Sequence, residues 1–239
     1  MKKLAILLGA MLLTCALLRA NVVTDDPGTI KVQLVPYYDF QGQVVKLPHY
    51  SEGLASSDEK VVLATIAEMR KQWQSLTVTE MYVAAIRLYD LGYRKEGVYW
   101  FFSAEFRGRL FAGLIDQDKI GDMGDPGFEE YHAIDAFYEL TSPYFDGYAF
   151  GDSKWATEIL QKVQKEVLTI PDFKAAYPGV AFKDVSQWKD LDLQLHDAMN
   201  KLLDYVNDKQ EEKTRAEDRV KSGYDAAFSK LTNKDLPAQ

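Results

Sequence analysis

One cysteine and three histidines among 239 residues leave little thiol or imidazole chemistry to build a site from. The cysteine, Cys15, lies in the leading apolar run, so a chain cut after that run keeps none. Disulfide stapling, thiol catalysis and thiolate metal sites then drop out together. His49, His132 and His196 are far apart in sequence, and none belongs to an H-E-x-x-H pair. Glu129 and His132 form one E-x-x-H, where a di-metal carboxylate bundle takes two, and Leu193 stands where a glutamate would precede His196. There is no G-x-S-x-G elbow, P-loop or dinucleotide fingerprint. Asp116, Asp118, Gly121 and Asp122 begin like a calcium loop. Ile120 and Gly127 then occupy positions that need oxygen ligands, which excludes an EF-hand. No cofactor, metal or catalytic residue is expected.

Basic residues are also scarce, with 28 Lys and Arg against 36 Asp and Glu. An acidic surface repels phosphate backbones, so nucleic acid is not an expected partner. It would steer a basic protein toward itself. After Leu18 no apolar run approaches the about 20 residues that span a bilayer.

The chain opens with Lys2 and Lys3, an almost unbroken apolar run over residues 4–18, and Ala20 before Asn21. That is the layout of a secretory signal peptide over residues 1–20, and it predicts an exported protein, periplasmic or secreted. Loss of the signal removes Lys2, Lys3 and Arg19 and no acid, leaving 25 basic and 36 acidic residues, a balance of −11. Cys15 follows Leu12-Leu13-Thr14, a loose likeness to a lipoprotein cleavage box with Thr14 where Gly, Ala or Ser belongs. Lipid on Cys15 would make an envelope lipoprotein and is the one route to a membrane. The expectation is that Cys15 is simply part of the signal.

Residues 21–55 read as an extended arm: Ile30 to Val35 alternates apolar and polar, and residues 43–47 offer a hairpin partner across Gly42. From residue 56 to 239 an all-α domain is predicted, large enough to bury its own core. Ser56 and Glu59 suggest a capping box for a helix over about 58–74, with Val62, Ile66, Met69 and Trp73 on its apolar face. Further helices are expected over about 78–91, 95–115 and 126–140, the last opened by Asp125-Pro126 and broken before Pro143. Residues 144–150 then read as a loop, and Asp152 or Ser153 starts the next helix, with Trp155, Ile159, Val163 and Val167 on one face. Residues 184–222 contain neither Gly nor Pro and suggest one long helix, its second half charged and projecting into water. Tyr224, Ala227, Phe228 and Leu231 suit a short helix folded back. The fold class is thus mainly α, a bundle or short array of about six to seven helices with a small β-like arm.

Ala85, Leu88, Gly92, Gly97, Phe101 and Ala104 place small residues, a turn glycine and an aromatic where two helices approach closely. Over about residues 78–110 this resembles a tetratricopeptide or Sel1-like repeat, with Met81 in the tryptophan position and Arg109 in that of the closing proline. No second copy follows at a 34-residue period, and a lone repeat cannot build a solenoid. The resemblance implies an α-hairpin whose first helix presents a binding groove. Tyr82, Ile86 and Tyr89 form the aromatic stripe there, suited to a peptide or helix, although such stripes are more often simply buried, here against the preceding helix. Arg107 and Arg109 sit in an apolar helix and call for carboxylate partners; Glu105 is not expected to share their face closely, so the partner would come from elsewhere or from a ligand. Tyr144 and Tyr148, in the aromatic–acid segment 144–150, are the other candidate contacts.

These features together predict an exported, non-enzymatic, helical protein-binding module of the bacterial envelope. An immunity or inhibitor protein facing a basic toxin is its most concrete form. The alternative is a glycan-binding or glycan-hydrolysing envelope protein, with exposed aromatics stacking on sugar and Glu129, Glu130 or Asp135 acting across a cleft.

Overall fold

The computed structural model describes residues 26–30, 49–167 and 171–237. The expected hairpin over residues 30–47 and the leader with Cys15 lie almost wholly outside these. The described residues form helices α1 Ser51–Ala55, α2 Glu59–Lys71, α3 Val78–Asp90, α4 Arg94–Leu114, α5 Pro126–Ala149, α6 Ser153–Val167, α7 Phe173–Ala176, α8 Trp188–Asn207, α9 Lys209–Lys221 and α10 Tyr224–Phe228. They contain no strand, only an isolated antiparallel bridge between Ile115 and Phe182. The protein is therefore mainly α. Among the described residues no helix is long and apolar enough to cross a membrane.

Helix α4 is the axis of the bundle. It is buried along most of its length, charged residues included, as befits a helix with little solvent face, and it packs against α3, α5, α6 and α8. Trp100, Phe101, Phe106 and Phe111 on it are all fully buried. The α3–α4 hairpin closes through a Schellman turn: Tyr93 N donates to Leu88 O and Gly92 N to Tyr89 O, with Gly92 at φ 92°. Gly97 lets the two helices touch, since a Cβ there would stand 2.9 Å from the backbone oxygen of Ala85. Helix α5 runs alongside α3, laying Ile134 on Gly108, Phe137 on Tyr82 and Phe145 on Tyr89.

Four local expectations are corrected. Helix α2 is capped by Asp58, whose carboxylate accepts from Lys60 N, while the Ser56 hydroxyl accepts from Asp58 N. The capping box of the hairpin belongs instead to Thr77 and Glu80. Helix α5 does not break at Pro143 and continues to Ala149. The proline removes one hydrogen bond from the helix, but burial of Phe145 and Ala149, and of Gly147 directly beneath Phe228, outweighs that loss. Residues 144–149 are thus helix, not loop. The long helix over 184–222 is two: Asp208 turns extended (φ −70°, ψ 122°) and caps α9 by accepting from Gln210 N and Glu211 N. Arg215 closes the joint by donating to the Tyr205 and Val206 carbonyls at 3.0 and 2.7 Å.

Candidate functional site

The first turn of α3 gathers one buried polar cluster. Glu80 is fully buried; its Oε2 accepts from Thr77 N at 2.9 Å, and its Oε1 accepts from His49 N at 3.2 Å. His49 Nδ1 lies 3.2 Å from the same oxygen, pinning the segment before α1 to α3. Val78 N donates to the Tyr177 hydroxyl at 2.6 Å. The Glu130 carboxyl of α5 lies beside Tyr177 and Thr79, at the positive end of the α3 dipole, and its buried Oε1 has no hydrogen-bond partner among the described residues. Burial nevertheless pushes Glu130 up to about 7, and the nearby Glu80 charge adds to this.

A carboxyl raised on folding binds its proton more tightly in the native state. Stability is then lost as pH rises from the unfolded value toward the folded one, here between about 4.5 and about 7. Over that window the site loses up to roughly 3 kcal/mol. Glu130→Gln, which keeps the shape and hydrogen bonding of the protonated acid, should match the wild type near pH 5 and melt higher at pH 7.5. Parallel melting curves across pH 5–8 would show that Glu130 is ionised without penalty.

Arg107 approaches the same turn from α4. It is 2% exposed, and its Nη1 donates to the carbonyls of Trp73 (2.7 Å) and Leu76 (3.3 Å). The guanidinium stands 5.4 Å from the Trp73 ring. Its Nε and Nη2 have no hydrogen-bond partner. Burial lowers its pKa to about 10, which leaves it cationic at neutral pH. Among the described residues no carboxylate pairs with it, and carbonyl dipoles and an aromatic face stand in.

A second cluster lies further along α4. Arg109 donates to Glu105 Oε1 from Nε at 3.0 Å and from Nη2 at 2.5 Å, and its guanidinium covers Tyr138 at 5.4 Å. The reading that Glu105 could not serve Arg109 is corrected: they are one helical turn apart, the spacing at which side chains meet. Asp146 sits close by. Burial raises its carboxyl well above the ordinary range, Glu105 adds to this and Arg109 opposes it.

The aromatic stripe is not available to a partner in this structure. Tyr82 is buried and stacks on Phe137 at 5.5 Å; Ile86 is buried; Tyr89 is buried against Phe145 and Tyr148, its hydroxyl donating to Pro27 O at 2.9 Å. The face points at α5, a neighbour that periodicity could not name. Tyr144 and Tyr148 are half-buried on α5, and Tyr148 meets Trp155 edge-on at 6.0 Å. Tyr99, Trp100, Phe101 and Phe102 all lie in the core. Glu129 accepts from Gly124 N at 2.7 Å and Asp116 pairs with Lys119 at 2.7 Å, so both acids serve the loop between α4 and α5. Among the described residues no three His, Cys, Asp or Glu side chains converge as a metal site would require.

Sequence reading missed Thr77, Glu80, Asp146 and Tyr177, and named Glu130 only as a carboxylate of the glycan alternative. The T-x-x-E pattern at 77–80 was a readable signal for the first two. Glu130 and Tyr177 carry none, because α5 and α7 bring them together across 47 residues of chain. No known protein family, curated protein or solved structure matches the chain.

Proposed function

We propose that this protein is an exported, non-enzymatic helical module of the bacterial envelope that binds another protein, one with a basic surface. The charge carries this reading: 36 acidic against 25 basic residues after the signal, a field that speeds encounter with a cationic partner. The likeness of α3–α4 to a tetratricopeptide or Sel1-like unit supports it, since that architecture offers its surfaces to peptides. An immunity or inhibitor role is the specific form that charge and compartment favour. The glycan alternative is weakened, because the aromatic run 99–102 that would stack on sugar is in the core.

The test is capture from envelope extract on tagged residues 21–239, at low and moderate salt, followed by mass spectrometry. One stoichiometric basic protein, released as salt rises, is the expected result. Recovery of no protein together with retention on a glycan array would replace this reading with the glycan one.

A further inference from the structure

Residues 231–237 follow α10 with no helix or turn of their own and lie across the α3–α4 turn and α2. Their contacts resemble those of a bound peptide. Helix α4 has no side-chain cap of its own at Tyr93, and Asn233 supplies one from outside, its Oδ1 accepting from Lys95 N at 2.9 Å. Lys234 N donates to Gly92 O at 2.8 Å, and Arg94 Nη1 donates to Thr232 O at 2.5 Å. The Lys234 ammonium stands 3.4 Å from Glu59 and 5.4 Å from the Tyr93 ring. Leu236 and Pro237 then cover α2 at Leu63, Ala64, Ile66 and Ala67, leaving a mostly apolar cavity of about 200 Å³.

A side-chain amide is read by a helix N-terminus, a lysine by a carboxylate and a ring, and a leucine by an apolar hollow. One backbone hydrogen bond, Lys234 N to Gly92 O, ties the segment down between them, as main-chain bonds do when grooves recognise peptides. The occupant is only partly engaged: the Lys234 side chain is 54% exposed, Pro237 is exposed, and the hollow under Leu236 is not filled. Segments held by few buried contacts open at low free energy.

We propose that this groove, between α2 and the α3–α4 turn, is the protein's peptide-binding site. Its own residues 232–237 fill it, and a partner docks by inserting a segment with an amide, a lysine and a leucine at the spacing of Asn233, Lys234 and Leu236. The inference rests on the protein-binding reading above and gives it a surface, one the stripe at Tyr82, Ile86 and Tyr89 cannot provide. A lysine on the incoming segment meets Glu59, in keeping with a basic partner.

The probe is a fluorescent peptide of residues 230–239, titrated by anisotropy into the intact protein and into Asn233→Ala/Leu236→Ala. An intramolecular occupant acts at high effective concentration, so weakening it should raise probe affinity about ten-fold or more. Adding Leu63→Glu to the double variant should abolish binding. No binding to the double variant, or equal binding to both proteins, overturns the proposal. A second measurement needs no variant: the Lys95 and Lys234 amides of the wild type should exchange with solvent about ten-fold or more faster than those of the α4 interior. Exchange at one common rate would make the segment a fixed part of the fold. A captured partner that excess peptide fails to displace would sink the groove while sparing the binding role. Probe binding with no partner in any extract would do the reverse.

Discussion

Gly97→Leu is expected to be the most damaging glycine substitution on α4, lowering the melting temperature by about 6–12 °C. A Cβ at Gly97 meets backbone: Ala85 O at 2.9 Å and Tyr89 N at 3.1 Å. No rotamer change relieves such a contact, so α3 and α4 must separate, at the upper end of the ~1–3 kcal/mol typical of overpacking. For a chain of this size about 3 kcal/mol moves the midpoint by about 6–12 °C. Gly108→Leu should cost less, because its Cβ meets side-chain methyls, Ile134 Cγ2 at 2.8 Å and Val78 Cγ1 at 3.3 Å. Both are β-branched and turn poorly, so the substitution still destabilises. Gly113→Ala meets only Leu191 at 3.6 Å, an ordinary contact, and gains helix propensity of about 0.5–1 kcal/mol. The three proteins should therefore melt in the order Gly97→Leu, Gly108→Leu, Gly113→Ala. A series in which Gly97→Leu melts no lower than Gly108→Leu would mean that the helices do not touch at Gly97.

Arg109→Leu is expected to remove about 3–5 kcal/mol of stability, the range for stripping one partner from a buried ion pair. The Arg109 and Glu105 side chains are 15% and 10% exposed, so water screens the pair little. The loss is mostly the penalty of what remains: Glu105 unpaired beside Asp146, a second carboxyl whose proton burial already favours. Glu105→Leu/Arg109→Leu removes both charges and should recover a large part of the deficit. Urea unfolding of the wild type, the two single variants and the double variant closes the cycle. If the double variant loses the sum of the two single losses, the pair is not coupled and the short contacts mean little energetically.

Legibility in the sequence divides by range. Helices α2, α3 and α4 are readable because their apolar residues recur at helical spacing and Gly92 supplies a turn that other residues resist. Pro143 misled because its local penalty is real and only packing exceeds it. The joint at Asp208 is hidden in a charged stretch, where an aspartate is as natural on a helix surface as at a cap. Periodicity at Tyr82, Ile86 and Tyr89 identified an apolar face correctly, but an apolar face does not say whether a partner or α5 covers it.

By itself, then, the sequence determined the helical class, the hairpin at Gly92 and the acidic balance, since each follows from residue type and spacing along the chain. Only the tertiary structure decided that Glu130 sits on the α3 N-terminus, that Asp146 closes on the Glu105–Arg109 pair, and that Asn233 caps α4 from 138 residues away. These depend on which helix faces which. Burial, not composition, sets the proton affinity of Glu130 and Asp146, and it decides which aromatics a partner can reach.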